Sequence, residues 1–301
     1  MKIAIVGTGG IGGYFGSLLA KANLDVTFVA RGENYETLKE NGLTVKSVVG
    51  DFEIKPVQVV ERISEIVNPD LIIFSVKTYD TETVAKELSS VVNPETIILT
   101  FQNGVDNDIQ IKKIIKEAQV YPGVAYVITA KTKPGIIEQT GGLRKLVFGD
   151  RQNPNNSHLK EIEKVMRDAG IDATLSDDIT RDIWKKFLFI CPFAGMTALH
   201  RKTIGEILSN DETREQYKDC LKEAILVARA KNVTVSENAF EEVMTTSKNT
   251  ASASKSSLLL DIENNRRNEI ETLNGALVGF AKELGVSVPV NDLIYKAIKN
   301  V

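Results

Sequence analysis

The hydrophobic residues in the first half of the chain form short runs that match buried strands in length and composition. Runs of this kind occupy residues 3–6, 26–30, 71–76 and 96–101, and polar or helix-like stretches separate them. Such an alternation is typical of a mostly parallel sheet with helices on its faces. The segment 43–60 alternates between polar and apolar residues around a Gly-Asp pair, which predicts a hairpin.

The second half of the chain has a helical pattern instead. From residue 177 onward apolar residues recur at helical spacing and strand patterns stop. We therefore predict an α/β protein with two domains: a doubly wound sheet over residues 1–176, followed by an all-helical domain over residues 177–301. The predicted helices of the second domain cover residues 183–199, 212–230, 237–245, 258–284 and 291–301.

The composition narrows the class of protein without identifying it. The 301 residues carry a formal net charge of -3 and 43% hydrophobic residues, as globular proteins do. A basic surface for nucleic acid is not expected, and no apolar stretch approaches the roughly 20 residues that span a bilayer. The start of the chain leads into a strand rather than a signal peptide, so we expect a cytoplasmic protein. Two cysteines and two histidines, scattered along the sequence, predict no metal site.

A glycine-rich turn joins the first strand to a helix predicted over residues 14–23. Gly7 would permit the tight turn, Gly9 would let the backbone approach a pyrophosphate, and Gly12 would let helix and strand pack closely. The unpaired N–H groups at the helix N-terminus suit phosphates. A purely structural turn is the alternative, but the context favours a dinucleotide site in a Rossmann-type domain. The predicted cofactor-binding residues of the turn are Gly7, Thr8, Gly9, Gly10, Ile11 and Gly12.

Arg31 follows the second predicted strand, nineteen residues after Gly12. An acidic residue at this point accepts hydrogen bonds from the ribose 2′-hydroxyl of NAD, whereas a guanidinium can bind the 2′-phosphate of NADP. Asp25 precedes the strand and so stands at its wrong end. The sequence therefore predicts NADP(H) as the cofactor, with a solvated surface arginine as the alternative reading of Arg31.

The helix predicted over residues 183–199 is almost wholly apolar but carries two lysines near its start. Helical spacing puts Lys186 on the face of Ile190 and Ala194. An ammonium held against apolar neighbours has a lowered pKa and can act as a general acid. The alternative is a lysine whose head group reaches water. Pro192 is expected to bend or interrupt this helix.

A second polar cluster lies on the helix predicted over residues 258–284. On a continuous helix its polar residues would form one edge, with Glu269 about three turns beyond Ser257. Such an edge is usually a solvated face, so these residues alone predict no site. The members of the edge are Ser257, Asp261, Asn264, Asn268 and Glu271.

In series, these segments resemble the ketopantoate reductase family over essentially the whole chain. The resemblance implies NADPH-dependent reduction of 2-dehydropantoate to (R)-pantoate, on the route to pantothenate and coenzyme A, in a cleft between a Rossmann domain and a helical domain. The motifs that carry it are GTGGIGGYFG at the start, Arg31, Val76-Lys77, Gln102-Asn103-Gly104, Trp184-Lys185-Lys186 with Thr197-Ala-Leu199, and Ser256-Ser257 through Asp261-Ile262 to Glu269-Ile270 and Leu273-Asn274-Gly275.

Matching positions carry the family's roles onto this chain. Lys186 would donate a proton to the carbonyl oxygen of a small 2-oxo acid, and its charge would stabilise the developing alkoxide. Glu269 would engage the substrate hydroxyl and steer Lys186, and Ser257 would hold the substrate carboxylate. Asn103 and Lys77 would bind both the substrate and the nicotinamide end of the cofactor. Self-association of the apolar helical domain, as a homodimer, is also compatible with the sequence.

The chain departs from the family pattern on the substrate side. Family members commonly carry asparagines one and two helical turns after the catalytic lysine, where this chain has Ile190 and Ala194. A polar site typically loses about 1 to 3 kcal/mol for each group that is left without its hydrogen bond. Two further hypotheses therefore stay open: a reductase of another, more apolar 2-oxo acid, and a non-catalytic NADP(H)-binding regulatory protein.

Overall fold

The structure is a computed structural model that describes all of residues 1–301. Internal contacts divide the chain into two compact units. The first comprises Met1–Gln102 and Asp106–Ile179, and the second comprises Asn103–Val105 and Thr180–Val301. The domain boundary predicted from the sequence stays a prediction.

Ten strands, all in the first unit, form one continuous sheet. Their order across the sheet is β4-β3-β9-β8-β7-β6-β1-β2-β5, and β10 pairs with β9. The strands are β1 (Lys2–Val6), β2 (Asp25–Val29), β3 (Leu43–Ser47), β4 (Phe52–Ile54), β5 (Gln58–Val60), β6 (Leu71–Phe74), β7 (Ile97–Thr100), β8 (Gln119–Lys133), β9 (Ile136–Phe148) and β10 (Asp172–Leu175).

From β5 through β2, β1, β6 and β7 to β8, all neighbouring strands are parallel. The order reverses at β1, because β2 lies on one side of it and β6 on the other. Ligands of doubly wound sheets bind at such a switch point, outside the carboxyl ends of the strands. β8 and β9 then form a long antiparallel hairpin, and β9 also pairs with β3 and β10. The predicted doubly wound sheet is confirmed, with a mixed extension at one side.

Helices flank the sheet in the first unit and make up the second, which contains no strand. The predicted all-helical second region is confirmed. The helices are α1 (Gly10–Lys21), α2 (Glu33–Asn41), α3 (Thr81–Leu88), α4 (Asn107–Ile114), α5 (Ser157–Asp168), α6 (Ile179–His200), α7 (Ile204–Ser209), α8 (Asp211–Ala230), α9 (Ala239–Asn249), α10 (Ser257–Glu263), α11 (Asn274–Leu284) and α12 (Pro289–Ile298).

Alternate residues of β1 enter two separate hydrophobic cores, one on each face of the sheet. Ile3 and Ile5 join the core that includes Phe15 of α1, whereas Ala4 and Val6 join the core that includes residues of α3 and α4. These four residues of β1 are at most 2% exposed. A strand buried on both faces must be apolar at consecutive positions, which explains its uninterrupted hydrophobic run. This burial fixes the point at which the glycine turn begins.

In the second unit a buried carboxylate holds the start of α12. Glu223 of α8 accepts hydrogen bonds from the main-chain N–H groups of Val290 at 2.9 Å and Asn291 at 3.0 Å. The Asn291 side chain also donates to it, at 2.7 Å. N–H groups in the first turn of a helix have no partner within the helix, and a negative charge there complements the helix dipole. Glu223 therefore ties α8 to α12.

The single helix predicted over residues 258–284 is wrong. The structure has α10 and α11 there, separated by a loop and a 3₁₀ turn, Ile270–Thr272. Asn265 has a φ of 51°, a left-handed conformation that a continuous helix excludes. The predicted polar edge therefore does not exist, and Glu269 lies on the loop rather than three turns beyond Ser257.

Two other local predictions need correction. The hairpin predicted over residues 43–60 is confirmed only for β3 and β4, because β5 pairs in parallel with β2. Pro192 does not interrupt α6, which runs from Ile179 to His200. Proline removes one N–H group from the helix, yet α6 continues past Pro192, which is buried. The sequence prediction also missed the short helix α7.

Candidate active site

The glycine turn runs from the buried end of β1 into the first residues of α1, at the switch point of the sheet. Thr8 ties the turn to the neighbouring strand, because its Oγ1 donates a hydrogen bond to the main-chain oxygen of Val29 at 2.7 Å. The side chain of Thr8 is 6% exposed. The turn is therefore held in place by a buried hydrogen bond that the sequence pattern does not reveal.

The glycines of the turn differ in whether the surrounding protein would exclude a side chain at their positions. A Cβ on Gly7, whose φ is 102°, would lie 2.6 Å from the main chain of Ser75, and a Cβ on Gly12 would clash with the Gly7 oxygen and the Ser75 hydroxyl. These two glycines are required by packing and by backbone conformation. At Gly9, by contrast, an added Cβ would meet no protein atom within 4 Å.

Gly9 is therefore the position where the protein itself does not require glycine. An open approach to the backbone at the N-terminus of α1 is what a pyrophosphate needs. Gly10 is packed instead, since a Cβ there would lie 2.6 Å from the Thr129 oxygen, and Ile11 packs partly buried against the neighbouring hydrophobic core. The residues of the turn thus fit a dinucleotide.

Arg31 follows β2 and lines an open cavity of about 500 Å³ in the first unit. Its Nη2 lies 2.8 Å from Oε2 of Glu87, which belongs to α3. The side chains of the pair are 59% and 41% exposed, respectively. Arg62 and Ser64 line the same cavity. Arg31 is thus an exposed arginine that shares a cavity with a second arginine and two glutamates, Glu61 and Glu87.

Lys77 lies after β6 and directly before a 3₁₀ turn, and it is partly buried. Gln102, for which the sequence suggested no role, shapes this part of the first unit. The Gln102 side chain is 8% exposed and donates to the Val76 oxygen at 2.8 Å and to the Thr81 hydroxyl at 2.9 Å. A buried amide that joins the ends of two strands orders the loop that presents Lys77. The signal that could have revealed it is an amide directly after a buried strand.

Asn103 and Lys186 meet within the second unit. Lys186, in the first half of α6, donates a hydrogen bond from Nζ to the side-chain oxygen of Asn103 at 2.8 Å. The turn at Asn103 requires the neighbouring Gly104, whose φ is 123°. Lys185, the adjacent lysine, is exposed. Of the two lysines in the apolar helix, Lys186 is therefore the one with a specific environment.

Burial changes the acidity of Lys186. It lowers the pKa of the ammonium from 10.5 to about 8, and the negative charge of Glu269 opposes that change. Glu269 is partly buried, and its main-chain oxygen accepts hydrogen bonds from the N–H and hydroxyl groups of Thr272. A lysine with a pKa near neutral pH can give up and regain a proton efficiently. The structure thus brings together Lys186, Asn103 and Glu269.

Ser257 is more exposed than Lys186 and Glu269. It is exposed and occupies the first position of α10. Its neighbour Ser256 is 3% exposed and caps the helix, because its Oγ accepts from the Leu259 N–H at 3.1 Å and from the Thr197 hydroxyl at 2.7 Å. Ser256 therefore anchors α10 to α6, whereas Ser257 is exposed.

The face of α6 beyond Lys186 is apolar. Ile190 is partly exposed and Ala194 is buried, and neither can hydrogen bond through its side chain. Two partly exposed phenylalanines, Phe189 and Phe193, stack with ring centroids 5.5 Å apart and an interplanar angle of 9°. This stretch of α6 therefore offers aromatic and aliphatic surface one to two turns from the ammonium.

The structure contains neither a membrane-spanning helix nor a metal-binding cluster. No helix is long and apolar enough to cross a membrane. No group of three or more His, Cys, Asp and Glu side chains is arranged to hold a metal ion. Cys191 and Cys220 are buried, and burial raises the pKa of both thiols. They have the environment of inert core residues.

A dinucleotide turn at the switch point of a doubly wound sheet, followed by helices that carry a lysine of lowered pKa, defines a Rossmann-type oxidoreductase. The model of the family "Ketopantoate reductase PanE/ApbA" matches residues 3–153, and the model of its C-terminal domain matches residues 178–301. The chain belongs to the ketopantoate reductase family. It is an oxidoreductase, and its cofactor is a nicotinamide dinucleotide.

Several relatives match along nearly their whole length. An uncharacterized oxidoreductase, YkpB, from Bacillus subtilis is 31% identical over 98% of this chain and 97% of its own. A 2-dehydropantoate 2-reductase from Archaeoglobus fulgidus is 31% identical over 100% of this chain and 97% of its own. The crystal structure of a ketopantoate reductase from Ralstonia eutropha JMP134 has a TM-score of 0.93 at 26% identity, covering 100% of this chain and 98% of that one.

The same fold also occurs in an enzyme with a different name. The ternary structure of a D-mandelate dehydrogenase with NADH and anilino(oxo)acetate has a TM-score of 0.90 at 23% identity, covering 100% of this chain and 97% of that one. The fold alone therefore fixes neither the 2-oxo acid nor the choice between NADH and NADPH.

Proposed function

We propose that the protein reduces 2-dehydropantoate to (R)-pantoate with NADPH, and that Lys186 is the general acid. The observation that carries this proposal is the setting of Lys186: a hydrogen bond to Asn103, the charge of Glu269, and a pKa of about 8. A lysine in an ordinary solvated position would hold its proton too tightly to be an efficient acid near neutral pH.

NADPH would supply the hydride that forms the new C–H bond at the carbonyl carbon. Lys186 would give its proton to the carbonyl oxygen and become neutral, so that the ketone becomes an alcohol. Before the proton moves, the ammonium would stabilise the negative charge that develops on that oxygen. Asn103 would fix the direction of Nζ, and Glu269 would favour the protonated lysine and bind the substrate hydroxyl. Ser257 would bind the substrate carboxylate.

The residues of the first unit would bind the cofactor. The turn from Gly7 to Gly12 would hold the pyrophosphate, with Gly9 as the point of closest backbone approach. Arg31 would bind the 2′-phosphate of NADPH through its guanidinium. Lys77 and Asn103 would bind the nicotinamide end. A homodimer and a cytoplasmic location remain expectations from the sequence.

A more apolar 2-oxo acid is the second candidate substrate. It is favoured by one observation: Ile190 and the stacked Phe189 and Phe193, all partly exposed, form an apolar surface of α6 beyond Lys186. Such a surface would bind an aromatic or branched side chain better than a hydroxyl. The polar groups that favour 2-dehydropantoate are Glu269 and Ser257.

A matched pair of substrates separates the two candidates. Trimethylpyruvate has the carbon skeleton of 2-dehydropantoate without its hydroxyl, so NADPH oxidation should be measured with both compounds and with phenylglyoxylate. A site that hydrogen bonds the hydroxyl should prefer 2-dehydropantoate by about 10⁴ in kcat/KM. Equal or better turnover of trimethylpyruvate or phenylglyoxylate would favour the apolar candidate.

The control variant is Lys186→Ala. If Lys186 is the general acid, this variant should bind NADPH nearly as well as the wild type while kcat falls by at least about 10². NADPH binding without turnover of any 2-oxo acid by the wild type would contradict both reductase candidates and favour a regulatory NADP(H)-binding protein.

A further inference from the structure

The cavity beside Arg31 is nearly neutral, although it lies where a phosphate is expected. Its volume of about 500 Å³ is typical of a small-molecule site. Arg31 and Arg62 bring two positive charges to the lining, and Glu61 and Glu87 bring two negative charges. A lining built only to attract a 2′-phosphate would carry an excess of positive charge.

Each arginine of this lining already has a carboxylate partner. Arg31 Nη2 is 2.8 Å from Glu87 Oε2, and Arg62 Nε is 3.2 Å from Oε1 of Glu65. Glu65 also accepts a hydrogen bond from the main-chain N–H of Arg62 at 3.0 Å, so this pair is anchored twice. Glu87 has only the one contact with Arg31 among the ion pairs of the structure. Glu87 is therefore the carboxylate that a ligand can displace.

A 2′-phosphate and the Glu87 carboxylate compete for the same guanidinium. Each is an oxygen anion that can accept two N–H hydrogen bonds from one guanidinium. The phosphate would have to replace Glu87 on Arg31 and would be repelled by it at the same time. A free ribose 2′-hydroxyl carries no charge and does not have to replace Glu87 on Arg31. A carboxylate near this hydroxyl can accept its hydrogen bond, as acidic residues do in NAD sites.

We propose that Glu87 sets the choice between NADPH and NADH by competing with the 2′-phosphate for Arg31. This inference rests on the cofactor part of the proposed function. Glu87 lowers the affinity for the phosphorylated cofactor and leaves NADH usable, so the chain has a weaker preference for NADPH than Arg31 alone would give. The pair is exposed, and exposed ion pairs are weak, so the effect is a modest change in selectivity.

The test uses ligands that carry only the adenosine end of the cofactor. Adenosine 2′,5′-bisphosphate and ADP are titrated calorimetrically against the wild type and Glu87→Gln. The variant should bind the 2′-phosphorylated ligand about three- to tenfold more tightly and ADP within about twofold of the wild type. Titrations with NADPH and NADH should show the same change in ratio.

Two controls separate this role from a general charge effect. Glu82 lies on the same helix, is 74% exposed and pairs with Lys86 rather than with Arg31. Glu82→Gln should leave the ratio unchanged. In an Arg31→Ala background, Glu87→Gln should lose most of its effect, because the competition acts through Arg31.

An unchanged ratio in Glu87→Gln, or an equal change in Glu82→Gln, would overturn the inference. A thermal melt close to that of the wild type would show that the variant is folded, and Glu87→Lys should move the ratio further in the same direction. The titrations need no turnover. A protein that binds NADPH but reduces no 2-oxo acid would contradict the proposed reaction alone, whereas no binding of either dinucleotide would overturn both proposals.

Discussion

Raising the pH from 7 to 9 should remove the proton that Lys186 supplies. With a pKa of about 8, Lys186 is about nine-tenths protonated at pH 7, half protonated at pH 8 and about one-tenth protonated at pH 9. The kcat/KM for reduction should therefore fall about tenfold between pH 7 and pH 9, with a midpoint near 8. A lysine with the ordinary pKa of 10.5 would stay protonated throughout this range.

The direction of the change is specific to the role of Lys186. Reduction needs the ammonium, so it slows as the pH rises, whereas oxidation of the alcohol needs the neutral amine, so it accelerates over the same range. Both directions should be measured by absorbance of the reduced cofactor, with cofactor affinity determined at each pH by titration. This separates loss of the catalytic proton from loss of cofactor binding.

Neighbouring variants provide the controls. Lys185 is exposed on the same helix, so Lys185→Ala should keep the midpoint near 8. Lys186→Arg carries a guanidinium that does not lose its proton in this range, so any residual activity should not show the alkaline fall. A wild-type rate that is constant from pH 7 to pH 9, or a midpoint near 10.5, would refute the assignment of Lys186 as a general acid tuned by burial.

Three further predictions concern the same two units. Glu269→Gln removes the charge that raises the Lys186 pKa, so the midpoint of the reduction profile should move below about 8; an unchanged midpoint would exclude this electrostatic role. Gly9→Ala should weaken NADPH binding by about tenfold or more without lowering Tm. Gly7→Ala should instead lower the free energy of unfolding in urea by on the order of 2 kcal/mol, because Gly7 has a φ of 102°. Glu223→Ala should cost on the order of 3 kcal/mol of stability while the Kd for NADPH stays the same, because it leaves buried N–H groups of α12 unpaired; a loss below about 0.5 kcal/mol would contradict that reading.

The sheet and the glycine turn could be predicted from the sequence because the determinants are local. β1 is buried on both faces, which requires an unbroken apolar run, and α1 follows it within a few residues. The glycines of the turn follow β1 directly, although the atoms that exclude a Cβ at Gly7 belong to the distant residues Ser75 and Val76. Helical periodicity likewise predicted α6 and α8, whose buried faces recur at regular intervals.

The surroundings of Lys186 could not be predicted in the same way. Asn103 is 83 positions away in the sequence, and the hydrogen bond between them depends on how the chain returns to the second unit. Glu269 was placed on a helix because its neighbours have helical spacing, but the left-handed Asn265 ends that helix and turns the segment into a loop. Asparagine tolerates the left-handed conformation, but the segment contains several polar residues, and the sequence does not show that Asn265 is the one that ends the helix.

The pairing of Arg31 with Glu87 could not be predicted either. It joins a residue at the end of a strand to a residue of a helix 56 positions later. Charged residues on an exposed helix usually mark a solvated face, and nothing in the pattern of α3 distinguishes Glu87 from Glu82. Only the geometry identifies the carboxylate that lies on the guanidinium. Arg31 can thus be identified from the sequence around one strand end, while its carboxylate partner is visible only in the structure.

The apolar face of α6 links the acidity of Lys186 to the choice of substrate. Burial lowers the pKa of Lys186, and Ile190 lies one helical turn from it on the same face. An asparagine at that position would offer a hydrogen bond to a hydroxylated substrate, but it would also make the surroundings of the ammonium more polar and raise its pKa. A chain that keeps an apolar residue there therefore retains the more acidic lysine and gives up one polar contact to the substrate. In the proposed reaction Glu269 would then matter more, because its charge opposes the effect of burial on the Lys186 pKa and its carboxylate would bind the substrate hydroxyl.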